Sequence, residues 1–252
     1  MKNAFDASDL IGLSIEGVLF DIDDTLVDLR TAAIEAFISM VAGKLHEVTP
    51  AQLRFIAEDF ADDKACAYER YMSGELTFLG QRQQRLNRSF ELVGHEVLRD
   101  EEYLIWAEEY ESLVKESWKP FDDVQAHLDA LTAWGIPFGA VSNNIESYQR
   151  MKLDKAGLSG FSVVIGSDTA GAPKPDPAPF LAGCSGLATQ PAKTWYVGDN
   201  PVNDVLGAKN AGLVAVLVDR DLKPDPRPEI TVGGLAELTN LMQRILMASD
   251  SI

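Results

Sequence analysis

The chain has 252 residues, 46% hydrophobic and 24% charged, which is the balance of a folded globular protein with room for one large α/β unit or a core carrying an inserted lobe. Its net charge of −17, from 39 acidic against 22 basic residues, disfavours nucleic acid or an anionic membrane as the main partner, since both need basic patches. No run approaches the roughly 20 apolar residues of a membrane span, the first residues lack the layout of a signal peptide, and Cys66 and Cys184 offer neither a C-x-x-C pair nor a disulfide framework. A cytoplasmic location is expected.

The first predicted element is a short buried strand, Val18-Leu19-Phe20, ending at the acidic cluster Asp21-Ile22-Asp23-Asp24-Thr25. Bounded apolar runs of this kind fit the interior of a parallel sheet. A stretch of different character follows. Residues 30–118 hold no strand pattern and instead predict helices over 31–46, 49–72, 77–93 and 100–117, with Thr49-Pro50 as an N-cap and first-turn proline, and Gly74 and Gly94 as stops. That is too long for a loop and predicts a helical lobe inserted into the core, which takes residues 1–29 and 119–252. Apolar runs then return at 136–141, 161–165, 194–197 and 213–218, with helical patterns over 122–133, 145–156 and 202–211 that stop at Gly135, Gly157 and Gly212. Residues 219–228, with three prolines, predict a surface loop, and 235–247 a closing amphipathic helix. Alternation of strand and helix implies βαβ units and a mainly parallel, Rossmann-like sheet.

Ligands of an open parallel sheet bind beyond the carboxyl ends of its strands. The residues that follow the apolar runs are therefore the candidate site: Asp21, Asp23 and Thr25; Ser142, Asn143 and Asn144; Lys174 between Pro173 and Pro175; and Asp199 and Asp204 in Gly198-Asp199-Asn200-Pro201-Val202-Asn203-Asp204. Carboxylates suit a hard divalent cation such as magnesium. A lysine, hydroxyls and main-chain N–H groups suit a phosphoryl group, and a carboxylate can attack phosphorus to give an acyl phosphate. Singly, each cluster has a structural reading: a solvated turn for Asp21–Asp24, an N-cap for Ser142-Asn143, a surface lysine for Lys174, and helix-start acids for Asp199 and Asp204.

Asp21-x-Asp23-x-Thr25, Ser142-Asn143, Lys174 and Gly198-Asp199-x4-Asp204, in that order, resemble the four motifs of the haloacid dehalogenase superfamily, and the helical insertion after the first motif is similar to its C1 cap. The resemblance covers residues 15 to 247. It implies a magnesium-dependent phosphatase. Asp21 would be the nucleophile, and Asp23 the general acid/base and donor of a main-chain carbonyl to the metal. Ser142, with Thr25 and Asn143, would bind the phosphoryl group. Lys174 would orient the nucleophile, Asp199 would ligate magnesium, and Asp204 would support the metal from the first or second shell. The implied substrate is a small phosphorylated molecule, with neither nucleic acid nor membrane as partner; nothing in the sequence bears on oligomeric state.

A phosphomutase of the same fold fits the same motifs, whereas family dehalogenases lack the second acid, which Asp23 supplies here. A non-catalytic binding protein has no need for Asp21 and Asp23 together. Within the lobe, Tyr68, Arg70, Tyr71, Phe78, Arg82, Arg85 and Arg88 form a basic and aromatic cluster. It reads equally as a solvated stripe or as a substrate-facing surface, with Arg82, Arg85 and Tyr71 as the candidate specificity residues. His46, His95 and His127 lack ligand spacing and read as structural.

Overall fold

The computed structural model describes residues 14–45, 47–221 and 230–249. The predicted loop over 219–228 lies mostly outside these residues, as does His46. Two compact units emerge, one containing the chain up to Val27 and again from Pro120, the other Asp28–Lys119.

The first unit is built on a six-stranded parallel sheet: β1 (Gly17–Phe20), β2 (Phe138–Val141), β3 (Val163–Ile165), β4 (Thr194–Gly198), β5 (Val214–Val218) and β6 (Thr231–Val232), in the order β3-β2-β1-β4-β5-β6. From β1 the chain runs outward through β2 to β3 and then crosses to β4 on the other side of β1, so the strand order reverses there, and the crevice at the carboxyl ends of β1 and its neighbours opens at that switch point. In register, Phe20 lies beside Ala140 of β2 and Val197 of β4, which brings the residues just past each strand to one edge. The two-residue β6 is a strand that the sequence does not announce; it pairs with Leu217 and Val218 of β5.

The second unit is helical: α1 (Leu29–Val41), α2 (Pro50–Ala61), α3 (Ala67–Met72), α4 (Phe78–Glu91) and α5 (Asp100–Glu116). The single helix expected over 49–72 is two helices. The chain breaks between them at Asp63 and Cys66, both with positive φ (47° and 52°), and the Asp63 carboxylate accepts the main-chain N–H groups of Ala67 and Tyr68 to start α3. Phe37, Phe60, Trp106 and Tyr110 form the aromatic core of this unit, with the Trp106 and Tyr110 rings stacked 4.9 Å apart.

Helices cover both faces of the sheet. α6 (Val124–Ala133), α7 (Glu146–Lys155), the short α8 (Ser167–Ala170), α9 (Pro177–Leu187), α10 (Gly207–Asn210) and α11 (Leu235–Ser249) belong to the first unit. Leu19 and Tyr196 point into a core with Phe180, Cys184 and Leu187 of α9. Phe20, on the opposite face, meets the His127 ring of α6 edge-on at 5.6 Å, as alternation along a strand requires. His127 is fully buried. Because the Thr239 hydroxyl donates to the Leu235 carbonyl, His127 Nδ1 must donate to Thr239 Oγ1, at 2.7 Å, which leaves its Nε2 without a partner. Among the described residues no helix is long and apolar enough to cross a membrane.

Candidate active site

After β1 the chain turns sharply. Asp24 adopts a left-handed conformation, φ 61°, its N–H donates to the Val27 carbonyl at 2.8 Å, and Val27 N donates back to Ile22 at 2.9 Å. The turn aims Asp21 and Asp23 to different partners. Asp21, buried, accepts a hydrogen bond from Lys174 Nζ at 2.5 Å. Lys174 Nζ also donates to Asp204 at 2.7 Å, to the Tyr196 hydroxyl at 2.9 Å and to the Val141 carbonyl at 3.2 Å. Lys174 is thus a buried hub with partners from three strands' ends, and the surface-lysine reading is set aside.

Asp204 is buried and both of its oxygens are engaged, one by Lys174 and Tyr196, the other by the N–H of Asn200 at 2.9 Å. Asn200 in turn caps the following π-helical turn, Pro201–Leu206, accepting from Val202 and Asn203 N–H. Gly198 makes this possible: a Cβ there would lie 2.4 Å from the Asp204 carboxylate, so only glycine lets the strand end approach so closely.

Oxygens of Asp21, Asp199 and Asp204 all lie within 4.8 Å of one another. Burial pushes the Asp21 carboxyl up to about 7, with Asp204 and Asp23 adding to the rise against the pull of Lys174. Burial, then the charges of Asp21, Asp204 and Asp24, push Asp199 up to about 8. Burial would depress the Lys174 ammonium, but Asp204 and Asp21 outweigh it and hold the lysine charged. Three converging carboxylates, with Asp21 and Asp199 pushed up beside Asp204, are the donor set a hard divalent cation relieves. The fit to magnesium is therefore good for Asp21 and Asp199. The engaged oxygens of Asp204 suit support of Lys174 and of the Asn200 loop.

Asp23 stands apart from this trio. Its Oδ1 accepts from Lys152 Nζ and its Oδ2 from Gln149 Nε2, at 3.1 Å; the same Gln149 nitrogen donates to Ser142 Oγ at 2.6 Å. Asn143, expected at the phosphate, places its side-chain amide on the main chain of Lys174, accepting at 2.6 Å and donating at 2.8 Å. It fixes the lysine's loop. Thr25 is fully buried with its Oγ1 unpartnered, and its carbonyl accepts from Arg220, which also grips Asp123.

Sequence reasoning missed Gln149, Lys152 and Tyr196. A signal existed for the first two. Gln149, Lys152, Leu153 and Ala156 are all buried at the i, i+3, i+4, i+7 spacing of a core face, so the polar pair occupies core positions.

In the helical unit, Arg82 is buried, donates to Glu111 at 2.6 Å and lies over the rings of Phe78 and Tyr110. Arg85 donates to the Phe60 carbonyl at 2.6 and 2.8 Å, capping the end of α2. Tyr71 packs against Tyr68 and Phe78. The solvated stripe is thus corrected for Arg82 and Arg85: their guanidinium groups hold the unit together from within, because a buried cation needs local acceptors.

A family model described as haloacid dehalogenase-like hydrolase matches residues 15–212. A phosphoserine phosphatase of Thermus thermophilus is 38% identical over 122 residues, 47% of this chain and 49% of the relative, so that match spans about half the relative's length. A glyceraldehyde 3-phosphate phosphatase of Methanothermobacter thermautotrophicus is 26% identical over 88% of this chain and 93% of its own. In fold, the chain is similar to a HAD-hydrolase of Bacillus subtilis bound to magnesium (TM-score 0.72, 19% identity, 91% and 99% coverage). It is also similar to the L-2-haloacid dehalogenase of Xanthobacter autotrophicus (TM-score 0.69, 21% identity, 91% and 98%).

Proposed function

The chain belongs to the haloacid dehalogenase-like hydrolases, and we propose that within that family it is a magnesium-dependent phosphatase that hydrolyses a small phosphomonoester through an aspartyl-phosphate at Asp21. The observation that carries this reading is the buried Asp21 carboxylate held on Lys174 beside Asp199 and Asp204. An anionic nucleophile there faces an anionic phosphoryl group, and a cation held by Asp21 and Asp199, with the Asp23 main-chain carbonyl, supplies the charge neutralisation that the pair requires.

Lys174 orients Asp21 so that one carboxylate oxygen is directed at phosphorus. As the Asp21–phosphorus bond forms, the bond from phosphorus to the ester oxygen breaks, and Asp23 delivers a proton to the departing alkoxide. Asp23 then takes a proton from water, whose oxygen attacks the same phosphorus and releases Asp21 and inorganic phosphate. Ser142 holds a phosphoryl oxygen through its hydroxyl, together with nearby main-chain N–H groups. Asp23 is what separates this reading from a dehalogenase, since a halide leaves without a proton and needs no acid.

The test is phosphate release from 4-nitrophenyl phosphate by chelator-treated protein, with and without added magnesium, followed by a panel of phosphorylated metabolites headed by phosphoserine and glyceraldehyde 3-phosphate, the substrates in the relatives' names. Halide release from a 2-haloacid with no phosphate release would replace the reading with a dehalogenase. Turnover that requires a bisphosphate activator would replace it with a mutase.

A further inference from the structure

Asp23 is an acid of the predicted site whose two carboxylate oxygens are both held by side chains outside the four motifs. Both come from α7 and lie one turn apart, so they share a face: Lys152 donates to Oδ1 and Gln149 to Oδ2. Lys152 and Gln149 are almost completely buried, 1% and 0% exposed. Buried polar groups persist where they are partnered. The Gln149 amide is informative in its orientation. Both Nε2 hydrogens are directed to Asp23 and Ser142, and this leaves Oε1 buried with no partner. A carboxylate can only accept, so an amide that serves Asp23 must present its nitrogen, at the expense of its own oxygen.

We propose that Gln149 and Lys152 are positioning residues for the reaction: they form a two-point cradle that fixes the Asp23 carboxylate and, through Gln149, sets it in register with Ser142. Neither touches the reacting atoms. Their role is to hold Asp23 where a proton can pass to the departing oxygen, and it rests on the phosphatase reading above. A purely structural pair would tie α7 to the first loop and affect all substrates alike. A positioning cradle affects substrates in proportion to their need for a proton. 4-Nitrophenolate departs without one, phenolate and 4-methoxyphenolate benefit from one, and an alkoxide depends on one.

The experiment measures kcat/KM, which reports the first transfer to Asp21, for 4-nitrophenyl, phenyl and 4-methoxyphenyl phosphate and for the best alkyl phosphate. It compares wild type with Lys152→Met, Gln149→Met and Lys152→Arg. Gln149→Met changes no charge, so it isolates position from electrostatics, and it carries the test if Lys152→Met fails to fold. The expected result is a steeper dependence on leaving group. Losses of at least about tenfold are expected on the alkyl phosphate, part of the 10²–10⁴ that a positioned acid supplies, with 4-nitrophenyl phosphate within about threefold of wild type and partial recovery in Lys152→Arg. Parallel losses across the series, or none, in variants that melt cooperatively would overturn the cradle and leave the phosphatase reading standing. Failure of wild type to release phosphate from any of the four would overturn that reading and the cradle with it.

Discussion

In the helical unit, the buried Arg82 lies against Glu111, the half-exposed Arg88 against the buried Asp59, and Arg85 on the carbonyls at the end of α2. At the edge of the sheet, Asp21, Asp199 and Asp204 crowd together around Lys174. Both regions bury charge, yet only the first balances it. Where each buried cation has its own acceptor, removing it chiefly unfolds the unit; where carboxylates outnumber the cation in contact with them, the arrangement stores a demand for a ligand. Balance, more than burial, separates scaffold from site.

The comparison is tested most severely at Asp21. Asp21→Asn is expected to abolish turnover while the protein melts no lower than wild type, since it removes one charge from the crowded edge. Trapping and peptide mapping of the phosphorylated wild type should find the label on Asp21, and a label elsewhere would remove it from the nucleophile's role.

Next in size is Lys174→Ala. Turnover should fall on the order of 10²–10³, the scale of one lost charge-stabilising donor, and the three carboxylates left behind should make stability depend more steeply on magnesium than in wild type. Full turnover in this variant would place the lysine outside the site.

Arg85→Ala should behave in the opposite sense. Loss of its charged hydrogen bonds to Phe60 is expected to lower stability by about 2–3 kcal/mol, read by urea denaturation, while the ratio of kcat/KM between the best metabolite and 4-nitrophenyl phosphate stays at its wild-type value. A selective loss on the metabolite would assign Arg85 to substrate specificity.

A ligand demand also has a thermodynamic signature. Magnesium at 100 times its dissociation constant should stabilise chelator-treated protein by about 2.7 kcal/mol, and Asp199→Asn should remove most of that gain. Melting curves that ignore millimolar magnesium would count against a cation at this edge.

A pH-dependent effect belongs to His127, which is buried and neutral. Burial pulls its imidazole down to about 4, with Asp123 opposing. Below the ordinary value near 6.5 the unfolded chain takes up a proton that the folded chain refuses until pH 4. Its contribution is whole above 6.5 and is lost as pH falls toward 4, by about 1.4 kcal/mol per pH unit at most. Urea titrations from pH 7 to 4.5 should show a shallower acid slope in His127→Leu; identical slopes would mean that the histidine is already charged when folded.

Much of this was legible in the sequence because apolar runs that stop abruptly at acids, a hydroxyl or a glycine mark strand ends. Strand positions came within two residues, and Asp21, Lys174, Asp199 and Asp204 fell together as the order of those runs implied. The unread parts share a physical cause. Lys152 and Gln149 look like the polar face of an ordinary helix unless the spacing that puts them on one face with Leu153 and Ala156 is weighed, and Tyr196 reads as one more core aromatic until its hydroxyl is seen on Lys174. The break at Asp63 and Cys66 depends on left-handed residues that are not glycine, so composition gives no warning. Helix α9, absent from the predicted elements, starts on Asp176-Pro177, a recognisable cap and first-turn proline.

The π-helical turn over Pro201–Leu206 has a consequence for how this stretch tolerates changes in length. Val205 N–H reaches back five residues to the Asn200 carbonyl, so the turn accommodates one residue more than an α-helix would. Deleting one residue inside it would convert that bond to the four-residue reach of an ordinary helix and leave Val205 and the residues beyond it in phase. An insertion has no such slack: it would rotate every residue beyond by about 100°, and Gly207, whose missing Cβ lets it lie against the Phe180 ring, would be replaced there by a neighbour with a side chain. Point substitutions at the exposed Val202 or Leu206 should be tolerated freely while a one-residue insertion between them is not: the segment encodes a phase, and its length is more constrained than its letters.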